Sequence, residues 1–225
     1  MNNSIFEKLK KAEHGARLSI FSYLLLTLLK LGAGFFFRSS ALVADGINNA
    51  TDVISSICVL IGLKISRKPA DEDHLYGHFR AELISTLIAS FIMLYAGIEV
   101  VKYAVKKIIT KSYEQPSMLS AVTAVVASII MFSVYFYNIR LANKLGSKSL
   151  KAAALDNLSD AYVSIGTLVG IIATYIGIPI ADSIVAILVG CLIIYTAISI
   201  FKESTHILTD GVDAEVIEKV ESIVK

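Results

Sequence analysis

Two short stretches of this 225-residue chain combine acidic and amide side chains inside long apolar runs. One contains Asn48 and Asp52, within the sequence ADGINNATD, and the other contains Asp156 and Asp160, within ALDNLSD. Residues four apart lie on the same face of a helix, so each pair presents two oxygen-bearing side chains to one point. A charged side chain in the hydrocarbon core costs at least about 2.5–3.5 kcal/mol, which makes these acids candidates for a functional site.

The four side chains form a ligand set made only of oxygen donors. With three ionised acids and one amide carbonyl, the set suits a hard divalent cation such as Mg²⁺, Ca²⁺ or Mn²⁺. Zn²⁺ sites usually include imidazole or thiolate, and this set contains neither His nor Cys. The alternative is that the polar groups only hydrogen-bond the helices to one another. Acids at two separate places, each paired with a second oxygen-bearing side chain, favour the cation site.

Four other ionisable residues have less specific settings. Asp45 precedes the asparagines by about one helical turn. It could be an additional metal ligand, an acid on the ion's access path, or a structural group bonded to Asn49. Asp182 lies near the start of the last apolar run, where an acid at a helix N-terminus is favourable without further function. Glu99 and Lys102 are close enough to pair, and we interpret them as structural.

A second polar constellation lies between the second and third apolar runs, in KPADEDHLYGH. His74 and His78, four residues apart, follow three acids, and this combination could hold a divalent ion outside the membrane. The alternative is a solvated acidic turn in which Gly77 permits the bend. The residues alone do not decide between these two interpretations.

The apolar runs that carry these residues are long enough to cross a bilayer. Hydrophobic residues make up 55% of the chain and the mean hydropathy is +0.68, which rules out a water-soluble enzyme. A helix needs about 20 apolar residues to cross the hydrocarbon core. The net charge of +2 is too small and too dispersed for a nucleic-acid-binding surface. The candidate spans are 16–37, 41–65, 81–105, 117–141, 152–177 and 180–202.

The two polar spans are related by an internal repeat with an offset of 108 residues. Between 44–62 and 152–170, seven of nineteen positions are identical, including Asp52 with Asp160. Two copies of a three-helix unit must cross the membrane in opposite directions, because three crossings end on the other face. The predicted fold is therefore an all-α membrane protein with six transmembrane helices in two inverted three-helix repeats. This arrangement is typical of transporters with a site near the midplane.

The placement of lysine and arginine predicts that both termini face the cytoplasm, because positive side chains near span ends are retained on that side. In this topology, 15 of the 21 lysines and arginines are cytoplasmic. The opposite face has Arg38 and four residues that argue against the assignment: Lys102, Lys106, Lys107 and Lys111. The expected order in this multi-pass cell-membrane protein is a cytoplasmic segment at 1–15, a transport domain at 16–203 and the start of a cytoplasmic domain at 204–225.

Four stretches, in order, carry a resemblance to a known family: ALVADGINNATDVISS, KPADEDHLYGHFRAE, ALDNLSDAYVS and IADSIVAILVG. They are spread over nearly the whole membrane part, and the chain resembles the cation diffusion facilitator family of divalent-metal transporters. The resemblance implies a transport site at four residues: Asn48, Asp52, Asp156 and Asp160. It also implies a second metal site in the loop, at Asp71, His74 and His78.

The resemblance bears on the transported ion and on the assembly. Zinc-transporting members have histidine where this chain has Asp156, and this difference, together with Asn48, is similar to the manganese-exporting branch. Family members dimerise through a cytoplasmic domain, and DAEVIEKVESIVK looks like the first helix of that domain. The resemblance therefore implies a homodimer, in a chain that is cut off at the start of its C-terminal domain.

The predicted function is export of a divalent cation, with Mn²⁺ as the first candidate, in exchange for protons by alternating access. Protons and metal compete for the same carboxylate oxygens, which would couple the two fluxes. The alternatives are a Zn²⁺, Fe²⁺ or Co²⁺ exporter of the same family, a metal-binding membrane sensor or scaffold, and an intramembrane aspartyl protease. Such a protease needs two acids that share a proton beside a glycine-rich motif, whereas Leu158-Ser159 precede Asp160. The expected partners are membrane lipid and divalent ions, with no nucleic acid.

Overall fold

The computed structural model describes residues 3–66, 68–69, 71–73, 75, 77–78, 80–113, 115–145, 148–209 and 211. Within these residues the chain is helical and contains no strand. Each predicted span coincides with one helix, and each helix extends past its span at one end at least. The helices are α1 (Asn3–Phe36), α2 (Ser40–Ser66), α3 (Ala81–Ile109), α4 (Met118–Leu145), α5 (Lys148–Tyr175) and α6 (Ala181–Leu208).

Two helices continue well beyond their apolar runs. α1 begins at Asn3, so most of the predicted segment 1–15 belongs to the same helix as the first span. α6 ends at Leu208 rather than near 202. The reason is that apolar length reports only the hydrocarbon thickness, whereas residues such as Glu and Lys favour helix without being apolar.

The helices form a multi-pass membrane protein. Five segments among the described residues are long and apolar enough to cross a bilayer: Arg17–Phe36, Leu83–Ile109, Met118–Lys144, Ala153–Tyr175 and Ala181–Leu208. The polar helix α2 is not one of these five segments. Its role as a sixth span, and the inverted orientation of the two halves, stay predictions.

The chain forms two compact units. The first comprises Met1–Val53 with Ala96–Leu192, and the second comprises Ile54–Tyr95 with Ile193–Lys225. In the first unit, α4 packs against both α5 and α1. Small residues in the core of this unit allow helices to approach closely. One hydrophobic cluster of the unit consists of Tyr23, Leu26, Ala127, Met131 and Ala161.

Two glycines bring α1 and α2 into close contact. A Cβ atom added at Gly34 would lie 2.6 Å from a side-chain atom of α2. A Cβ atom added at Gly46 would lie 2.9 Å from the backbone nitrogen of Leu31. Any side chain at these positions would push the two helices apart. The close approach matters for the site, because Leu31 and Gly46 are the sequence neighbours of the buried charged residues Lys30 and Asp45.

The beginning of α2 is fixed by Asp182, which lies in the first turn of α6. Its carboxylate accepts hydrogen bonds from the Ser39 hydroxyl and from the Ser40 backbone N–H, both at 2.6 Å. The bond from Ser40 satisfies a backbone donor that a helix N-terminus leaves without an intrahelical partner. Asp182 therefore has the predicted place at a helix N-terminus, where it is buried and serves the start of α2 as well.

Candidate metal site

The hydrogen bond between Asn48 and Asp160 joins the two polar helices α2 and α5. The Asn48 Nδ2 atom donates to Asp160 Oδ1 at 2.9 Å, and both side chains are buried. Each residue comes from a different one of the two pairs that the sequence analysis selected. The structure thus brings together one member of each predicted pair.

The other two predicted ligands are more accessible. Asp52 is half-buried on α2, and Asp156 is exposed on α5. The charges of Asp156 and Asp160 both act on Asp52, so the three carboxylates belong to one electrostatic neighbourhood. Among the residues described, no three His, Cys, Asp or Glu side chains converge on a metal-sized point. The structure therefore shows one direct contact and two nearby acids rather than a closed ligand shell.

Tyr23 of α1 is a member of the site that the sequence analysis did not identify. Its hydroxyl lies near the Asp160 carboxylate, and its ring belongs to the hydrophobic cluster with Leu26 and Met131. A tyrosine in an apolar span is usually interpreted as a packing residue, because its ring is apolar and only the hydroxyl needs a partner. No sequence signal distinguishes Tyr23 from the other tyrosines of the chain.

Lys30 of α1 is a second member that was missed. Its side chain is fully buried, and its Nζ atom donates to Asp45 Oδ1 at 2.8 Å and to Asn49 Oδ1 at 2.6 Å. A sequence signal did exist: Lys30 is a cation well inside the first apolar run, where a charge requires a partner. That partner lies on another helix, and the spacing of α1 alone does not identify it.

The surroundings of Asp45 bear on the three roles considered for it: an additional metal ligand, an acid on the ion's access path, and a structural group bonded to Asn49. The side chain is fully buried, and one oxygen forms the ion pair with Lys30. Asp45 and Asn49 both bind the same ammonium group, which links them through Lys30. Within the described part of the chain, Asp45 Oδ2 has no hydrogen-bond partner.

A neutral polar cluster joins α1, α4 and α5. Asn138 Nδ2 and Asn157 Nδ2 both donate to Ser19 Oγ, at 2.8 and 3.0 Å. All three side chains are buried. Hydrogen bonds of this kind hold helices together where water is excluded, so Asn157 serves the structural role considered above for asparagines.

The loop between α2 and α3 is described in part. His78 Nε2 lies 3.5 Å from Asp71 Oδ2, which brings two of the three predicted loop residues within ion-pair distance. The third, His74, lies outside the described residues. The metal-binding role of this loop stays a prediction.

Comparisons with known proteins agree on one family. Residues 16–209 match the family model of the cation efflux transmembrane domain. The chain is 53% identical over 208 residues to the manganese efflux system protein MneS of Bacillus subtilis, covering 92% of this chain and 72% of that protein. It is 30% identical over 217 residues to MneP of the same organism, covering 93% and 73%. It is 38% identical over 194 residues to the magnetosome protein MamB of Paramagnetospirillum magneticum, covering 86% and 66%.

Proposed function

Because the chain belongs to the cation efflux family, in its manganese-exporter-like branch, we propose that it exports Mn²⁺ in exchange for protons. The family makes it a cation efflux transporter and a membrane protein. The identity of the ion, the coupling to protons and the residues of the transport site are our proposals. The similarity to two manganese efflux proteins supports the choice of ion.

We assign the transport site to Asn48, Asp52, Asp156 and Asp160. The observation that carries this assignment is the buried hydrogen bond between Asn48 and Asp160, which links the two polar helices. A buried carboxylate needs compensation, and a divalent cation held between α2 and α5 would supply it. The donors would be one amide carbonyl and three carboxylates, a set that suits Mn²⁺ better than Zn²⁺.

The two acids of α5 differ in exposure, and this difference supports an order in which the ion would contact them. Asp156 is exposed, whereas Asp160, one turn further along α5, is buried. We propose that the ion contacts Asp156 first and reaches Asp160 as its water is replaced by protein oxygens. Alternating access would then expose the loaded site to the other face of the membrane.

The competition between metal and protons for carboxylate oxygens gives the exchange its direction. A carboxylate must be deprotonated to bind metal, so Mn²⁺ binding displaces protons and protons displace Mn²⁺. A proton gradient directed into the cell would therefore drive Mn²⁺ out. We also propose that both termini are cytoplasmic, which puts 15 of 21 lysines and arginines on that side, and that the protein works as a homodimer.

The test is ion flux into proteoliposomes with an imposed proton gradient, using Mn²⁺, Zn²⁺, Fe²⁺ and Co²⁺ as competing ions. We expect gradient-driven Mn²⁺ flux in the parent protein and its loss in Asp160→Asn. The matched control is Glu99→Gln, which removes an acid that pairs with Lys102 at 2.6 Å on α3, and it should transport as the parent does. The proposal would be contradicted by undiminished Mn²⁺ flux in Asp160→Asn. It would also be contradicted if Mn²⁺ flux in the parent protein did not depend on the proton gradient.

A further inference from the structure

Lys30 is a full positive charge in the membrane interior beside a site proposed to bind a cation. Its side chain has no exposed surface, and neither has that of Asp45, its partner at 2.8 Å. The charge of Lys30 also acts on Asp52 and Asp160. An ammonium group and a divalent ion would compete for the same carboxylates, so something must hold Lys30 away from them.

We propose that Asp45 is a positioning residue that holds the Lys30 ammonium away from the transport site, and that it is not a metal ligand. This inference rests on the proposed function, because it assumes that Asp52 and Asp160 bind the transported ion. The Lys30–Asp45 pair adds no net charge next to the site. It therefore leaves three acids for the metal and removes the fourth from the ligand set.

The geometry supports this role in two ways. Lys30 has two short contacts, to Asp45 and to Asn49, and both lie on α2 toward its N-terminal end from Asp52. The close approach of α1 and α2 at Gly46 places Leu31, the sequence neighbour of Lys30, against the residue that follows Asp45. The ammonium group is thus held from one side by a carboxylate and an amide, both in fixed positions on one helix turn.

The repeat offers a second, independent argument. With the offset of 108 residues, Lys30 corresponds to Asn138 and Asp45 corresponds to Ala153, so the second half lacks both the cation and its acid. The acid at position 52 is present in both halves, as Asp160 in the second. The second half thus lacks the acid as well as the lysine, which is expected if Asp45 is the counter-ion of Lys30. The presence of a metal ligand would not depend on the presence of Lys30.

The experiment is a double-mutant cycle on the full chain, with Mn²⁺ binding to the purified protein measured by calorimetry at fixed pH and ionic strength. Asp45→Asn leaves Lys30 without its carboxylate, so its ammonium turns to Asp52 and Asp160 and should weaken Mn²⁺ binding about tenfold or more. Adding Lys30→Met removes the competing cation. The double variant should bind Mn²⁺ within about threefold of the parent.

Recovery of Mn²⁺ binding in the double variant would distinguish a positioning role of Asp45 from a role as metal ligand and from general damage to the structure. If Asp45 were a ligand, or if its loss merely disturbed the fold, a second substitution nearby would not restore binding. A double variant more than about threefold weaker than the parent would overturn the inference, and so would unchanged binding in Asp45→Asn. Should Asp45→Asn alone fail to fold, the comparison of the double variant with the parent decides by the same threshold.

The Asp160→Asn variant distinguishes failure of the proposed function from failure of the positioning role. If the parent shows no saturable Mn²⁺ binding, or if Asp160→Asn binds as the parent does, the proposed function fails. If the parent binds Mn²⁺ and Asp160→Asn does not, the site stands, and the cycle at Lys30 and Asp45 tests the positioning role alone.

Discussion

Two acids on one face of α5 have opposite surroundings. Asp160 is buried, accepts a hydrogen bond from Asn48 of α2 and lies near Tyr23 of α1. Asp156 is exposed one turn earlier. Replacing the buried acid with a side chain that lacks an acceptor oxygen would leave the Asn48 amide without its partner, at a cost of about 1–3 kcal/mol. Of the two proposed ligands on α5, Asp156 is therefore the one at which the donor type can be changed with least disturbance of the fold.

We expect Asp156→His to shift the preference from Mn²⁺ towards Zn²⁺. Imidazole is a softer ligand than carboxylate and removes one negative charge, which favours tetrahedral zinc over a six-coordinate hard cation. The measurement is the ratio of Zn²⁺ to Mn²⁺ flux in proteoliposomes. Asp156→Asn is the matched control, since it removes the same charge without adding imidazole. An unchanged or lowered ratio in the histidine variant would show that ligand softness does not select the ion.

Spacing within a helix predicted some site residues and could not predict others. The pairs at 48 and 52 and at 156 and 160 follow from the helical repeat alone, because both members lie on one helix. Lys30 and Tyr23 depend on contacts between helices. Their partners are set by how α1 packs against α2 and α5, and a single sequence does not encode that register in any periodic pattern.

At the scale of elements, the contact between α1 and α2 determines where the buried ion pair lies. Apolar length was sufficient to predict the positions of all the helices seen in the described residues. It gave no information on which helices touch, because lipid-facing and helix-facing residues of a span are equally apolar. The glycines at 34 and 46 are the features that locate this contact, and they are recognisable only once the two helices are seen side by side.

We expect Gly46→Ala to destabilise the protein by about 1–3 kcal/mol, because the added methyl group meets the backbone of Leu31 and must push α1 away. Gly32→Ala is the matched control on α1. A Cβ atom there has no neighbour within 4 Å, and alanine should be neutral or stabilising by up to about 1 kcal/mol. The thermal unfolding midpoint in detergent distinguishes the two. Equal midpoints would mean that the α1–α2 contact tolerates a methyl group.

We expect the loop between α2 and α3 to tune transport rather than perform it. The corresponding connection between α5 and α6, residues 176–180, has neither a histidine nor an acid, so this feature is absent from the second repeat. Replacing His74 and His78 together by alanine should leave measurable Mn²⁺ flux in proteoliposomes. Complete loss of flux in well-folded protein would assign the loop an essential part in transport.

At the scale of the whole molecule, the proposed transporter concentrates negative charge in one unit of a largely apolar protein. Asp52, Asp156 and Asp160 repel one another in the absence of a cation, and the Lys30–Asp45 pair adds no net charge that would offset this repulsion. Either protons or a divalent ion can neutralise the acids. Each of these cations stabilises the site and excludes the other, so the empty, fully ionised site is the least stable state. The protein would then exchange one cation for the other.

The coupling between Mn²⁺ and protons has a sign and a size that binding measurements determine. Protons compete with Mn²⁺ for carboxylate oxygens, so Mn²⁺ affinity should fall as the pH falls, and its logarithm should rise with pH. The slope of that plot counts the protons released for each ion bound. It can be compared with proton release measured directly in weakly buffered solution. Asp52→Asn should give a smaller slope, because it removes one group that must lose a proton. An affinity that does not depend on pH in the parent would exclude the carboxylates as the coupling element, even if Mn²⁺ itself were transported.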